Sequence, residues 1–286
     1  MPQLTSKVKG RRDLHSDTSP FDKPLETMYK YTSFKRAFDI LMENKIYFAK
    51  CSEFNDPYDW RVTLDIETPE KRKIFMENME RKYKTSYSIK EKQEFMYDSF
   101  KANEFAHAVV KKQQESDTTG FCCLADNYQS LPMWAHYAEN HTGCCLMFDF
   151  SKHSNQKSPK DDFPFHWMKK IEYPRDLPKY NMSGTWTGYF YKSCEWKYEN
   201  EWRAIMFDNM SHKLLSPNSC FHKKCNGAGL YPLDDFLCGV ILGDKMEDAF
   251  KEVIKTVAHK RGISVKQASP GLYKYGMCLT EIDNGR

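Results

Sequence analysis

The sequence predicts an α+β protein whose core is a mixed, mainly antiparallel sheet. Short apolar or alternating segments, typical of strands, occur along the whole chain and are interspersed with amphipathic helical segments. These segments do not follow the regular strand–helix alternation that builds a parallel sheet. The 286 residues, of which 40% are hydrophobic and 15% aromatic, are enough to bury a sizeable core.

The domain organisation follows from where the periodic pattern begins. Residues 1–24 are polar and lack periodicity, so we predict a flexible N-terminal arm. Residues 25–286 then form a single α+β domain. A helical insertion interrupts it at about residues 68–112. Thr68 caps its first helix, with proline at the first helical position, and Ser88 opens a second helix through a capping box.

The first ordered segment is predicted to be a strand followed by a helix. Residues 28–31 are short, aromatic and alternating, which favours a strand. Thr32 or Ser33 then caps a helix whose apolar residues recur at helical spacing over residues 34–41. A second short strand is predicted at residues 46–49.

The rest of the chain alternates buried strands with two further helices. A short helix follows Ser130, and another follows Asp244. Apolar or alternating runs predict strands at 121–125, 144–150, 167–173, 204–207, 236–242, 263–267 and 272–280.

Composition and charge exclude several classes of protein. The net charge of +4 is mild and does not by itself indicate a dedicated nucleic-acid binder. No apolar run approaches the roughly 20 residues of a membrane span, and no signal-peptide segment is present. The ten cysteines include no C-x-x-C pair, so we expect reduced, buried thiols and no metal site. We therefore expect a soluble cytoplasmic protein without a membrane partner.

The segment from Glu195 to Arg203 concentrates the strongest chemical signal. It holds three carboxylates, two indole rings and a guanidinium. If its second half is a strand, Glu199 and Glu201 share one face, because side chains alternate along a strand. Two neighbouring acids require a cation, a donor or a ligand to offset their repulsion. Two interpretations follow: an exposed strand end paired with arginine, or a ligand site with an aromatic wall.

A second cluster lies around His136 and His141. The two imidazoles either cap the ends of a short helix or form an acid–base pair. Their i, i+5 spacing does not place both rings on one helical face, which argues against a shared metal ion. The familiar phosphate-loop, zinc-protease and serine-hydrolase motifs are absent from the sequence.

Four segments together resemble an uncharacterised family of bacterial proteins that is described only by a domain of unknown function. The likeness covers about residues 25–280 and includes a glycine-flanked strand at residues 239–243. Its motifs are YKYTS, FNDPYD, MWAHYAENHTG and WKYENEWR, at residues 29–33, 54–59, 133–143 and 196–203.

A second resemblance is to ADP-ribosyltransferase-like enzymes, which begin with a similar strand, helix, strand and Asn-Asp-Pro turn and carry a late Glu-x-Glu. It implies an ADP-ribosyltransferase-like sheet and NAD as the substrate. Glu201 would be the catalytic glutamate and Glu199 the residue that orients the acceptor. Lys30 and Tyr31 would take the first-strand position, where this family usually has Arg or His, and Tyr137 would stack on nicotinamide.

The resemblance also implies roles for the remaining candidates. Lys30 would hold the pyrophosphate, and Tyr31 or Trp134 would stack on a ring of NAD. Asn55 and Asp56 either shape the ligand loop or only form a tight turn. The predicted catalytic residues are Glu201, Glu199 and His136. The predicted NAD-binding residues are Lys30, Tyr31, Thr32, Asn55, Asp56, Trp134, Tyr137, His141 and Arg203.

The leading hypothesis is an enzyme that cleaves the nicotinamide–ribose bond of NAD and transfers ADP-ribose to a protein or nucleic acid. Family-level association suggests a bacterial toxin or an anti-phage defence effector. One alternative is a nuclease or phosphotransfer enzyme that uses His136 and His141 with Lys30 or Arg203. The other alternative is a non-enzymatic sensor that binds a nucleotide or peptide in an aromatic cleft.

Overall fold

A computed structural model describes residues 25–59, 61–116, 118–151, 165, 167–182, 187–207 and 227–282. The predicted arm, residues 1–24, lies outside the described residues. The strands are β1 (Thr27–Thr32), β2 (Lys45–Phe48), β3 (Thr63–Leu64), β4 (Gly120–Ala125), β5 (Cys144–Asp149), β6 (Met168–Lys170), β7 (Lys179–Tyr180), β8 (Glu201–Met206), β9 (Gly229–Pro232), β10 (Leu237–Leu242), β11 (Ser264–Pro270) and β12 (Met277–Glu281). The helices are α1 (Phe34–Glu43), α2 (Pro69–Tyr83), α3 (Ile89–Tyr97), α4 (Ser99–Ser116), α5 (Leu131–Tyr137) and α6 (Asp248–Lys260).

An eight-stranded sheet forms the centre of the described structure, in the order β12-β11-β10-β5-β1-β4-β8-β6. Its neighbouring strands are antiparallel except for the parallel pair β10 and β11, which α6 connects. A parallel pair needs such a crossover, because its strands run in the same direction. The α+β class and the mainly antiparallel sheet are therefore confirmed. Two further two-stranded sheets pair β2 with β9 and β3 with β7.

Side chains alternate along each strand and therefore point to both faces of the large sheet. Each face packs against helices. On one face, Met28, Leu146 and Val240 pack into a core that also contains residues of α1 and α6. On the other face, Phe121 and Ile205 pack against α2, α3 and α4. A third cluster, around α5, covers another part of that face. The candidate site lies where β1, β4 and β8 are neighbours.

The helical insertion contains three helices where the sequence predicted two. The expected helix from Ser88 is interrupted at Asp98, whose backbone is extended (φ −101°, ψ 102°). The Asp98 carboxylate accepts hydrogen bonds from the backbone amides of Phe100 and Lys101, so it starts a new helix. The capping box at Ser88 and Glu91 is present as predicted. Among the described residues, no helix combines the length and hydropathy that a membrane span requires.

Candidate functional site

A cavity of about 680 Å³ opens beside β1, β4 and β8. It is large enough for a small-molecule ligand, since such pockets usually measure about 300–1,000 Å³. Segments far apart in the sequence meet around it. The predicted site residues that line it are Lys30, Tyr31, Thr32, Asn55, His136, Tyr137, Glu199, Glu201 and Arg203.

The two glutamates of the late acidic motif converge on one lysine. Glu199 ends a 3-10 turn (Cys194–Glu199), Asn200 adopts a left-handed conformation (φ 44°), and Glu201 begins β8. Lys192 Nζ donates to Glu199 Oε2 at 2.5 Å and to Glu201 Oε2 at 3.3 Å. Both glutamates are only 3% exposed. The strand end is therefore buried, not exposed as the first interpretation had it, and Lys192 brings the two carboxylates together.

Arg203 compensates Glu201 from the other side. Its Nε donates to Glu201 Oε1 at 2.5 Å, and its two terminal nitrogens donate to Asp59 at 2.9 and 2.6 Å. The same guanidinium donates to the backbone carbonyl of Tyr189 at 2.9 Å and lies 5.1 Å from the centre of the Phe54 ring. Arg203 is completely buried, so its charge depends on these contacts for stabilisation.

Tyr137 extends the cluster to the rim of the cavity. Its hydroxyl donates to Glu199 Oε1 at 2.5 Å and accepts from the Asn55 side-chain amide at 3.3 Å. These two hydrogen bonds connect Glu199 to the last turn of α5 and to the loop that follows the 3-10 turn at residues 51–53. We call Asp59, Lys192, Glu199, Glu201 and Arg203 the charge cluster.

The charge cluster contains more anions than cations. With all groups ionised, two cations and three carboxylates sum to −1. Burial raises the pKa of Glu199 and of Asp59, although each has a cationic neighbour. Burial acts in the same direction on Glu201, but the Arg203 and Lys192 cations outweigh it and hold its pKa well below the usual range. Glu201 therefore stays ionised, whereas Glu199 takes up a proton more readily.

The first strand supplies a cation and a phenol to the same cavity. Lys30 Nζ donates to the backbone carbonyl of Cys123 at 3.0 Å, which holds the ammonium group against β4. The Tyr31 hydroxyl donates to the carbonyl of Asn127 at 3.0 Å. Burial raises the pKa of Tyr31, so this phenol remains protonated at neutral pH. Thr32 is buried beside them.

Three predicted residues do not line the cavity. Trp134 is completely buried, donates to the Tyr128 carbonyl at 2.7 Å and packs edge-on against Tyr31. This leaves no ring face of Trp134 for a ligand, and its contact supports the position of Tyr31. His141 stacks on Trp134, with 6.3 Å between ring centres. Asp56 Oδ1 accepts from the Tyr58 amide at 2.8 Å, so this aspartate makes the tight turn of its loop.

Residues 133–204 match the family described as Protein of unknown function (DUF2971). The match confirms the resemblance to a family of unknown function that the sequence motifs indicated. The matched range contains Lys192, Glu199, Glu201 and Arg203, so the DUF2971 match covers most of the charge cluster, while Asp59 lies outside it. No curated protein and no solved structure shows a significant match to the chain.

Sequence reasoning missed two members of the charge cluster. Lys192 lies in the DUF2971 range but outside every helix and strand that the sequence predicted. Asp59 ends the FNDPYD motif, but the residues of this motif that were predicted to belong to the site are Asn55 and Asp56. One signal was available: two buried acids require nearby cations, and Lys192 is a lysine close to both in the sequence.

Within the described residues, no group of three or more His, Cys, Asp or Glu side chains is arranged to hold a metal ion.

His136 lies at the rim of the cavity, with its ring exposed and stacked on Tyr198 at 6.0 Å between ring centres. His141 does not line the cavity and instead packs against Trp134. The two histidines that the sequence considered together therefore occupy different environments.

Proposed function

We propose that the cavity binds NAD and that the protein cleaves the nicotinamide–ribose bond and transfers ADP-ribose to an acceptor. The observation that supports this proposal is the excess negative charge of the charge cluster in the wall of the cavity. A buried carboxylate-rich surface favours a cationic group, and NAD carries a positive charge on its nicotinamide ring. Cleavage of the adjacent ribose bond develops further positive charge, as glycoside cleavage does.

Glu201 has the properties that such a transition state requires. Its pKa is lowered by Arg203 and Lys192 in spite of burial, so the carboxylate is ionised before the reaction starts. The two cations also fix its position through hydrogen bonds of 2.5 and 3.3 Å. A fixed carboxylate stabilises a developing oxocarbenium ion without having to reorganise.

Glu199 is suited to receive the proton of the acceptor. Its raised pKa makes it a better proton acceptor than an ordinary glutamate, and Tyr137 and Lys192 orient its two oxygens. In the proposed step, the acceptor oxygen or nitrogen bonds to C1′ of the ribose. The bond to nicotinamide breaks, and its electron pair goes to the nicotinamide nitrogen. The acceptor's proton passes to Glu199, and water in place of the acceptor yields free ADP-ribose.

Other residues that line the cavity supply groups for the rest of NAD. Lys30 from β1 and Arg36 from α1 line it and provide positive charge for the pyrophosphate. Tyr47 also lines the cavity and is 42% exposed, so its ring is available to a base.

We further propose that this activity serves a toxin or an anti-phage defence effector in the cytoplasm, where consumption of NAD or modification of a macromolecule would stop growth.

Release of nicotinamide from NAD tests the proposal directly. We expect wild-type protein to release nicotinamide, and Glu201→Gln and Glu199→Gln each to lower the rate by about 10²–10³-fold, the usual cost of losing one preorganised electrostatic group. Glu195→Gln is the matched control, because Glu195 is an exposed glutamate in the same turn. Absence of turnover together with no NAD-induced rise in melting temperature would contradict the proposal.

Two further measurements, of melting temperature with NAD and of RNA degradation, distinguish the two alternatives. An NAD-induced rise in melting temperature without any nicotinamide release would favour a nucleotide-binding sensor over an enzyme. RNA degradation that persists in Glu201→Gln and is lost in His136→Ala would favour a nuclease. Because His136 is exposed at the cavity rim, its replacement by alanine should leave the fold intact. A loss of RNA degradation would then be due to the missing imidazole.

A further inference from the structure

A second, smaller cavity of about 240 Å³ lies next to the first one. Among the described residues that line the two cavities, only Lys192 is shared. The second cavity is lined mainly by two short segments, residues 174–178 and residues 191–193, together with Tyr58 and Arg61.

Two chain segments separate the second cavity from the charge cluster, and each contributes to both. In the first segment, Asp59 pairs with Arg203 in the charge cluster, while Tyr58 and Arg61 line the second cavity. In residues 191–193, the Lys192 ammonium group contacts Glu199 and Glu201, while Tyr191 and Ser193 line the second cavity. A group bound in the second cavity would therefore contact the neighbours of Asp59 and Lys192. Asp59 and Lys192 are the residues that hold Arg203 and the two proposed catalytic glutamates in place.

The chemistry of the second cavity is cationic and aromatic. Arg61 and Arg175 are exposed, and neither forms an ion pair within the described part of the chain. Asp176 is the acidic residue of this wall, and Lys192 is already paired, so the two arginines give the cavity a net positive charge. The Arg61 guanidinium lies 5.3 Å from the centre of the Tyr58 ring. Guanidinium groups that have no carboxylate partner suit phosphate, and tyrosine rings suit stacking with a base.

We propose that the second cavity holds one nucleotide unit of a single-stranded nucleic acid, which acts as the acceptor of ADP-ribose. This inference rests on the proposed function for its acceptor role, but not for the binding itself. The volume of 240 Å³ is below the usual range for a complete ligand, which fits one unit of a longer strand. Lys192 lines both cavities and contacts Glu199, so a strand bound in the second cavity lies next to the cavity that contains the proposed proton acceptor.

Binding of a fluorescent single-stranded oligonucleotide, measured by anisotropy without NAD, tests the proposal. We expect wild-type protein to bind the strand with an affinity that falls as salt increases. The double variant Arg61→Gln/Arg175→Gln is expected to bind at least about tenfold more weakly and with a smaller salt dependence, since each lost phosphate contact reduces the slope by about one. Tyr58→Leu is expected to weaken binding at every salt concentration by removing base stacking.

The matched control is Lys90→Gln/Lys260→Gln, which removes the same charge from exposed positions that line neither cavity. Its affinity is expected to stay within about threefold of wild type. Equal losses in the two double variants would mean that only overall charge matters and would overturn the proposal, as would failure of the wild-type protein to bind the strand. Because NAD is absent from this assay, failure of NAD cleavage leaves its result unaffected.

Discussion

Asp59 and Arg203 form a buried ion pair with two contacts of 2.9 and 2.6 Å, although 144 positions separate them in the chain. The pair connects the loop that follows the first two strands to the centre of β8. Arg203 has no exposed surface, and the Asp59 side chain is 2% exposed. Loss of either partner would leave a charge in the interior without compensation.

Replacing Arg203 by methionine should destabilise the protein strongly. The substitution leaves both Asp59 and Glu201 without their guanidinium partner, which typically costs about 3–5 kcal/mol for a buried pair. Urea unfolding would measure the loss. Arg175→Met, at an exposed arginine, is the control and should change the free energy of unfolding by less than about 0.5 kcal/mol. Similar values for the two variants would contradict the structural role of Arg203.

The stability advantage of wild type over Glu201→Gln should depend on pH in a defined direction. The folded-state pKa of Glu201 lies below its unfolded value of about 4.3, so its ionised form adds stability at neutral pH. The advantage should be on the order of 2–3 kcal/mol above the unfolded pKa and should shrink as pH falls toward the folded-state pKa. Unfolding curves between pH 7 and pH 3 test this, with Glu195→Gln, at an exposed glutamate, as the control. A difference that grew on acidification would contradict the assignment.

Tyr137→Phe should shift the pH dependence of the proposed NAD cleavage. The Tyr137 hydroxyl donates to Glu199 and thereby stabilises its ionised form, so its removal should raise the pKa of Glu199 further. If ionised Glu199 accepts the proton, the rising limb of the rate profile should move to higher pH. Tyr198→Phe is the matched control, because Tyr198 stacks on His136 instead. Superimposable profiles for wild type and Tyr137→Phe would show that Glu199 is not the titrating base.

Gly243→Ala should destabilise the end of β10. A methyl group there would lie 2.1 Å from the carbonyl oxygen of His141 and 2.7 Å from that of Gly143, so the backbone must move. We expect a loss of about 1–3 kcal/mol, typical of overpacking, in thermal or urea unfolding. Gly262→Ala, which meets no neighbouring atom but has φ 66°, should cost about 1–2 kcal/mol from backbone strain alone. A Gly243→Ala protein as stable as wild type would show that this turn is not closely packed.

Local sequence patterns determined much of the fold, because helices and strands depend on the spacing of nearby apolar residues. The alternation at residues 28–31, the capping residues before α2 and α3, and the apolar runs of β4, β5 and β10 all correspond to observed elements. The break at Asp98 was missed because its carboxylate competes locally with an otherwise continuous helical pattern. The parallel pairing of β10 with β11 depends on the α6 crossover.

The sequence by itself determined which side chains were candidates for a site, since a dense run of acids and aromatic rings requires compensation wherever it lies. In the structure, Lys30, Tyr31, Asn55, His136 and Glu201 from this set of candidates line one cavity.

Only the tertiary structure decided how the charges are compensated. Lys192 and Asp59 belong to the charge cluster because the fold brings them into contact with Glu199 and Arg203. Trp134 does not line the cavity because packing buries its ring. Ion pairs and burial depend on distances in space, and residues separated by more than a hundred positions carry no local pattern that reveals them.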